Sequence, residues 1–298
     1  MTHTLPTPAQ WQASGSHYTH HGHQIFYQRQ GSTSQPPIVC IHGFPTASYD
    51  WAYLWPYLAN QYHLVAPDMI GFGYSAKPYR YKYSILDQAD LVEGLVAQLG
   101  LGPVHVLAHD YGDTVAQELL ARALAGSPNC LTIKTLCFLN GGLFPEVHHP
   151  RPIQRLLISP IGFLISRLLS QAQFNKSFSA VFGPNTQPTQ QELEGWWQQV
   201  TYNNGHRLYH KLIAYLAERK KYRARWAGAL QQRKIPMRFI NGPEDPVSGK
   251  DMANYYEQQV PNADVVRLPG IGHYPQTEAP QQVAEAYLPF VNGQQPKR

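Results

Sequence analysis

Cysteine and charge are both scarce in this chain of 298 residues. Its three cysteines, Cys40, Cys130 and Cys137, form no C-x-x-C pair and no even set, so we expect no disulfide framework. Cys40 and Cys137 lie in apolar, strand-like runs, which favours buried, reduced thiols. Charged residues make up 14% of the chain and hydrophobic residues 43%, proportions typical of a packed globular protein rather than a disordered one.

Long hydrophobic runs are missing as well. The most apolar stretch, residues 153–169, is interrupted by Pro160, Gly162 and two arginines, and it falls short of the roughly 20 apolar residues that span a bilayer. It could still form an exposed apolar helix, so contact with a membrane surface stays open. The start, MTHTLPTPAQWQ, lacks the basic and apolar segments of a secretory signal. We therefore expect a cytoplasmic protein.

The excess of positive charge is mild, with a formal net charge of +5. Basic residues concentrate at 219–226, RKKYRARW, with Arg233 and Lys234 close behind. Such a run could contact phosphates or a membrane, but a solvated helix face is the simpler interpretation. We expect no nucleic-acid partner.

Apolar runs bounded by Gly and Pro alternate with helical patterns along the chain. Strands are predicted at HQIFYQRQ, PPIVCIHG, HLVAPDMIG, VHVLAHD, IKTLCFLNGG, IPMRFINGPED and ADVVRLPGIGH. Helices are predicted at YDWAYLWPYLANQ, SILDQADLVEGLVAQLG, GDTVAQELLARALAG, DMANYYEQQV and QQVAEAYLPFV. This alternation indicates the α/β class, with a mostly parallel central sheet flanked by helices.

One segment, residues 145–225, breaks the alternation. It is helical in pattern, rich in Trp, Tyr and Gln, and contains no convincing strand. An all-helical insert between two strands would cover the edge of the sheet as a cap. The predicted organisation is therefore a core made of residues 1–144 and 226–298, with a helical cap at 145–225.

The sequence AHDYG at residues 108–112 has the pattern small-x-nucleophile-x-small between a predicted strand and a predicted helix. Such a turn presents its central side chain above the carboxyl edge of the sheet, and here that residue is Asp110. Gly112 tolerates the strained backbone, and the start of the following helix stabilises a carboxylate. Alternatively, Asp110 merely caps the helix. The candidate partners of Asp110 later in the chain favour the role of nucleophile over that of a helix cap.

Two such partners follow in the order acid, then histidine. Asp245 follows the predicted strand MRFINGP, and His273 follows the strand VVRLPGIG. Glu244 competes for the acid role, but the spacing from Gly242 favours Asp245. We predict Asp110, Asp245 and His273 as a catalytic set.

The fourth element is the loop His42-Gly43-Phe44-Pro45, directly after the strand PIVCI. A loop there can direct the backbone N–H of Phe44 into the same pocket, and Tyr111 would supply the second N–H of an oxyanion hole. Phe44-Pro45 is also a candidate cis peptide bond.

Seven segments together resemble the α/β-hydrolase superfamily: HGFPTASYDW, GFGYSAKP, AHDYGDTVAQELLAR, FLNGGLFPE, RKKYRARWAGAL, NGPEDPV and GHYPQTEAP. Within it they resemble the mesoderm-specific transcript (MEST) group, which is related to epoxide hydrolases and haloalkane dehalogenases. The resemblance implies an α/β-hydrolase fold with its cap inserted after the sixth strand. It also implies that Asp110 attacks saturated carbon to form an alkyl ester. His273, polarised by Asp245, then activates water. A small apolar organic substrate and water are expected, with no metal or organic cofactor.

The leaving group distinguishes epoxides from halides. Epoxide hydrolases carry a proton-donating tyrosine on the last cap helix, and Tyr215 matches that placement. Tyr215 could instead be an ordinary packing residue. Their second cap tyrosine is not matched, because FNKSFSAVF offers phenylalanines, among them Phe178, and this counts against efficient epoxide opening.

Haloalkane dehalogenases typically place Trp directly after the nucleophile, whereas this chain has Tyr111 there and Phe44 in the oxyanion loop. Trp196 and Trp197 in the cap could compensate, although apolar packing is the better explanation of both. We predict a substrate pocket that includes Trp196, Trp197 and Phe178, and epoxide opening as the reaction. The alternatives are a haloalkane or haloacid dehalogenase and a catalytically silent binding protein on the same fold.

Histidines cluster near the start of the chain, at positions 17, 20, 21 and 23. Such a group suggests metal binding, but the sequence shows no carboxylate nearby. We therefore expect no metal site.

Overall fold

A computed structural model describes residues 5–293. Its centre is one sheet of eight strands, in the order β1-β2-β4-β3-β5-β6-β7-β8. The strands are β1 Ser16–His20, β2 His23–Gln30, β3 Pro37–Ile41, β4 His63–Pro67, β5 Val104–His109, β6 Ile133–Leu139, β7 Met237–Asn241 and β8 Val265–Arg267. β2 pairs antiparallel with β1 and β4, and all other neighbours are parallel. The predicted fold class is confirmed.

Helices cover both faces of the sheet, so the central strands are buried along most of their length. The helices are α1 Pro8–Ser14, α2 Trp55–Leu58, α3 Ile85–Gln98, α4 Tyr111–Ala125, α5 Pro152–Ile158, α6 Gly162–Leu168, α7 Gln171–Ser179, α8 Gln190–Thr201, α9 Tyr209–Leu212, α10 Tyr215–Lys221, α11 Arg223–Gln232, α12 Lys250–Gln259, α13 Pro275–Glu278 and α14 Pro280–Val291. Every residue of β5 is buried, which explains its nearly continuous apolar sequence.

Two local predictions differ from the structure. The first strand, β1, was not predicted because SHYTH is polar; only its alternate residues Tyr18 and His20 are buried. YDWAYLWPYLANQ was predicted as one helix, but it forms a 3₁₀ helix at Ser48–Tyr53 followed by the short helix α2, which has a proline in its first turn. Proline lacks the N–H that would continue a preceding helix.

Between β6 and β7 the chain is entirely helical and forms an insert, here the helical insert, that contains α5 to α11 and the 3₁₀ helices Pro145–Val147 and Tyr202–Leu208. The all-helical character of this region and its position after the sixth strand agree with the sequence. Helix α11 crosses the predicted boundary at residue 225 and packs on α4. The three-part division stays a prediction, and its outermost residues, 1–4 and 294–298, lie outside the described chain.

The apolar stretch 153–169 falls mostly in α5 and α6, which are seven residues each and separated by a break. Over residues 5–293, no helix combines the length and the hydropathy that a membrane crossing requires.

Parallel strands end at one edge of the sheet, and that edge positions the functional groups. The Phe44 loop follows β3, Asp110 follows β5, Asp245 follows β7 and His273 follows β8. The helical insert leaves the sheet at the same edge and covers it.

Candidate active site

Asp110 occupies a sharp turn between β5 and α4. Its backbone has φ 46° and ψ −101°, an unfavourable conformation for a residue with a side chain. Gly112 makes the turn possible, because a Cβ at that position would lie 2.2 Å from the carbonyl oxygen of Ile41. The Asp110 side chain makes no capping bond to α4, so helix capping does not explain the residue.

The loop after β3 contacts the Asp110 carboxylate directly. The backbone N–H of Phe44 donates to Asp110 Oδ2 at 3.1 Å, and the Phe44-Pro45 peptide bond is cis, as predicted. Tyr111 is the first residue of α4, so its N–H lies in the first turn, while its ring is buried and packs 4.7 Å from the ring of Tyr215. This geometry places a backbone donor at a carboxylate oxygen, as an oxyanion hole requires.

His273 lies between the two carboxylates. Its Nδ1 donates to Asp245 Oδ2 at 2.7 Å, and its Nε2 lies 4.0 Å from Asp110 Oδ2. The carboxylate of Asp245 also accepts from the N–H groups of Val247 and Ser248, the Ser248 hydroxyl and Asn140 Nδ2. The structure therefore brings together the three residues predicted as a catalytic set. Asn140 was missed, because nothing in FLNGG indicates that its side chain reaches the loop after β7.

Neighbouring charges and hydrogen bonds shift the pKa of His273 and of Asp245. Burial lowers the pKa of His273, but the charge and hydrogen bond of Asp245, together with the Asp110 charge, outweigh burial and raise it to about 9. Burial raises the pKa of Asp245, whereas His273 and the donated hydrogen bonds bring it below its usual value. Near neutral pH, His273 is therefore protonated.

Arg219, on α10, is a further cation at the nucleophile turn. Its Nη2 lies 3.6 Å from Asp110 Oδ1 and donates to the Asp110 carbonyl oxygen at 3.0 Å, while its Nε donates to Thr114 Oγ1 at 2.7 Å. The guanidinium is almost fully buried. The prediction of a solvated face for RKKYRARW is thus wrong at Arg219, and also at Trp226, because α10 and α11 pack these two side chains against α4.

A cavity of about 730 Å³ of empty space, its mouth included, opens above Asp110 and His273. Its lining is mainly apolar, and most of it comes from the helical insert, chiefly from α5, α6 and α7. Phe178, which the sequence analysis assigns to the substrate pocket, lines the cavity. Tyr209 and Tyr274 also line it and were missed; their hydroxyls donate to the carbonyl oxygens of Pro45 at 3.2 Å and Phe44 at 3.4 Å.

Three residues predicted to contact substrate do not line this cavity. Trp196 points to the core, where its indole N–H donates to Asp50 Oδ1 at 2.9 Å. Trp197 is half-buried and packs on Phe174, with ring centroids 5.5 Å apart. Tyr215 is buried and is not part of the lining; its ring lies under the Arg219 guanidinium at 4.6 Å, and its hydroxyl makes no well-formed hydrogen bond. Packing against the core, rather than contact with substrate, accounts for the two tryptophans.

The histidine cluster does have a carboxylate nearby, so that part of the sequence analysis is wrong. Asp87 Oδ1 lies 3.1 Å from His20 Nε2 and 3.7 Å from His21 Nε2, and the Tyr81 hydroxyl donates to both oxygens of Asp87. Asp87 is 67 residues from His20 in the chain, and only the packing of α3 beside β1 brings them together. None of these residues lines the cavity.

Comparison with known proteins gives the class of this fold and site. The model of the alpha/beta hydrolase family matches residues 38–286, and the chain therefore belongs to that family. It is 43% identical over 299 residues to the mesoderm-specific transcript homolog protein of Bos taurus, covering 96% of this chain and 88% of that protein. It is 39% identical over 285 residues to the putative hydrolase LipZ of Mycobacterium tuberculosis, covering 96% and 98%.

Solved structures with the same fold include a loop variant of the haloalkane dehalogenase DbeA from Bradyrhizobium elkanii. It superposes with a TM-score of 0.80 at 22% identity, over 94% of this chain and 96% of that one. A putative lipase from Acinetobacter baumannii superposes with a TM-score of 0.79 at 22% identity, over 96% and 93%. Because these identities are low, the two structures identify the fold and leave the reaction to the residues of the site.

Proposed function

We propose that this hydrolase uses the Asp110 carboxylate to attack a saturated, electrophilic carbon and forms a covalent alkyl ester. The supporting observation is the position of that carboxylate at the base of an apolar cavity, 3.1 Å from the Phe44 nitrogen and 4.0 Å from His273 Nε2. A carboxylate is a suitable nucleophile for a strained ring or a carbon–halogen bond. In the epoxide reaction, the new bond joins an Asp110 oxygen to carbon, and the carbon–oxygen bond of the ring breaks.

The second half of the reaction hydrolyses the ester. Ester formation removes the negative charge of Asp110, which is one cause of the raised pKa of His273, so the imidazole becomes easier to deprotonate. Neutral His273, oriented by Asp245, then takes a proton from water, and the hydroxide attacks the ester carbonyl carbon. The N–H groups of Phe44 and Tyr111 stabilise the oxyanion. Its collapse releases the alcohol and restores Asp110 with one solvent oxygen.

Epoxides are the preferred substrates in this proposal because of the donors in the cavity. An opening epoxide needs a proton, and phenol hydroxyls of Tyr209 and Tyr274 line the cavity. A departing halide needs N–H donors, and no tryptophan occurs among the lining residues of the described chain. Tyr209 replaces Tyr215 as the proposed proton donor, since Tyr209 lines the cavity and Tyr215 does not. Its bond to the Pro45 carbonyl, at 3.2 Å, is long and readily exchanged for one to substrate.

Haloalkane or haloacid dehalogenation is the second candidate. The apolar lining of the cavity suits a haloalkane, and the Asp110 and His273 chemistry is the same for both substrates. A substrate panel of a terminal epoxide, a 1-haloalkane and a carboxylic ester distinguishes these reactions. Turnover of none of them would favour a catalytically silent binding protein.

The decisive experiment is a single turnover in heavy-oxygen water. Label is expected in the peptide that contains Asp110, because water attacks the ester carbonyl rather than the substrate carbon. His273→Gln is expected to accumulate the alkyl ester on that peptide, detected by mass, because alkylation needs no base whereas hydrolysis does. The control Asp110→Asn forms no ester. Label found only in the product, with Asp110 unlabelled, contradicts the covalent mechanism.

A further inference from the structure

The outer side of α5 and α6 is an exposed apolar surface. Among the described residues, seven large hydrophobic side chains are exposed, and only Tyr79 lies outside this region. The other six form the α5–α6 apolar surface, with exposed fractions between 42% and 74%: Leu156, Ile158, Ile161, Phe163, Leu164 and Leu168. Isolated apolar side chains are ordinary on a protein surface, whereas a contiguous group of this size marks an interaction site.

These two helices are apolar on both sides. On the inner side, Leu157 from α5 and Ile165 from α6 line the cavity above Asp110. A surface helix in contact with water carries polar residues opposite its buried face. Because α5 and α6 carry leucine, isoleucine and phenylalanine there instead, their outer side is suited to an apolar environment.

The charges around the surface indicate what covers it. Residues 147–191 contain no Asp or Glu, and four cations lie in that stretch: Arg151, Arg155, Arg167 and Lys176. Arg155 and Arg167, on α5 and α6 themselves, make no ion pair with any residue between 5 and 293. Two copies of this surface face to face would bring arginines together in an apolar interface, which is unfavourable. An anionic, apolar partner is complementary to it.

We propose that the α5–α6 apolar surface binds an anionic phospholipid bilayer. The six side chains insert among the acyl chains near the headgroups, while Arg155 and Arg167 contact lipid phosphates, the arrangement typical of interfacial helices. Since the inner side of the same helices forms the cavity wall, docking places that wall against the lipid. The proposal concerns attachment alone and holds whichever reaction Asp110 performs.

Flotation of the full chain with vesicles tests this directly. Wild type is expected to float with vesicles of phosphatidylcholine and phosphatidylglycerol, to bind less to phosphatidylcholine alone, and to detach as salt is raised. Leu164→Asp with Leu168→Asp is expected to weaken binding at least tenfold. Arg155→Gln with Arg167→Gln is expected to remove the preference for anionic vesicles.

The matched control is Gln258→Glu with Gln282→Glu, which adds the same two negative charges at exposed positions of α12 and α14. It is expected to bind like wild type, and unchanged thermal unfolding of every variant shows that the fold is retained. Absence of wild-type binding, or equal binding by the leucine variant and this control, overturns the proposal. So does a dimer, measured by light scattering, that the leucine variant dissociates, because the surface then belongs to a second copy of the chain.

Discussion

The carboxylate of Asp110 is surrounded by groups from distant parts of the chain. A backbone N–H of Phe44, the imidazole of His273 and the guanidinium of Arg219 each lie within 4.0 Å of one of its oxygens. The first two follow strands, so strand order alone predicts that they meet at one edge of the sheet. Arg219 lies on a helix of the insert, and its position depends on how that helix packs on α4.

At this scale the prediction concerns the proton donor. Tyr209→Phe is expected to lower epoxide opening by about 10²–10⁴-fold, the usual contribution of general-acid catalysis. Tyr215→Phe, the matched control, removes a buried hydroxyl from a residue that does not line the cavity, and it is expected to change the rate only several-fold. The pre-steady-state rate of Asp110 ester formation measures the effect of both substitutions. The rate at which Tyr209→Phe displaces halide should stay near that of wild type. The reverse order of effects would restore Tyr215 as the donor.

At the scale of elements, the end of β3 packs tightly against the nucleophile turn between β5 and α4. A Cβ at Gly112 would lie 2.2 Å from the Ile41 carbonyl oxygen and 2.7 Å from that of His42. Both neighbours are backbone atoms of the segment that leads to Phe44. The backbones of the turn and of the segment before Phe44 are therefore in close contact, and a side chain at position 112 would push them apart.

Gly112→Ala is expected to destabilise the protein by about 1–3 kcal/mol or more, as overpacking of a rigid site does. It should also slow ester formation, because the Phe44 N–H is pushed from Asp110. Gly228→Ala is the control: Gly228 lies within α11 with no atom within 4 Å of the added Cβ, so a stabilisation of about 0.4–1 kcal/mol is expected. Denaturant unfolding measures the free energy of unfolding of both variants. Equal stability of the two variants would show that the backbone at Gly112 adapts freely.

Elements differ in how well the sequence predicts them, for physical reasons. β5 could be predicted because burial on both faces of the sheet makes its sequence, VHVLAH, apolar. α3 could be predicted because its buried face gives a periodic apolar pattern and Ser84 caps its start. β1 has no such pattern, since it is an edge strand buried at alternate positions. Asp110, Asp245 and His273 could be predicted because each follows a strand. The burial of Trp196 in the core could not be predicted, since the direction of a side chain within the insert depends on how the helices pack together.

At the scale of the whole molecule, one of the buried contacts between the helical insert and the core depends on pH. Trp196 on α8 donates to Asp50, in the 3₁₀ helix at Ser48–Tyr53, and the Thr46 hydroxyl donates to the same carboxyl group. Burial raises the pKa of Asp50 from 3.8 to about 7, more than these hydrogen bonds lower it. The unfolded chain therefore loses this proton near pH 4, and the folded protein loses it near pH 7.

Asp50→Asn tests this contact. In wild type, the contribution of Asp50 to stability is complete below pH 3.8 and is lost as the pH rises through about 7. Asparagine keeps an acceptor for Trp196 and does not titrate. The stability of the variant relative to wild type is therefore expected to rise by roughly 2–4 kcal/mol between pH 4 and pH 8. Urea unfolding at pH 4 and pH 8 measures the difference in free energy of unfolding between the variant and wild type. If this difference is the same at both pH values, the pKa of Asp50 is near its ordinary value.

Exchange of segments between related hydrolases is limited by the position of Arg219. This side chain belongs to the helical insert, yet it donates to the Asp110 carbonyl and to Thr114 and lies beside the Asp110 carboxylate. A chimera that takes its insert from a relative without an arginine at this place would leave a buried anion without its cation. Recombination between such relatives therefore preserves function only when α10 and the turn after β5 are inherited together.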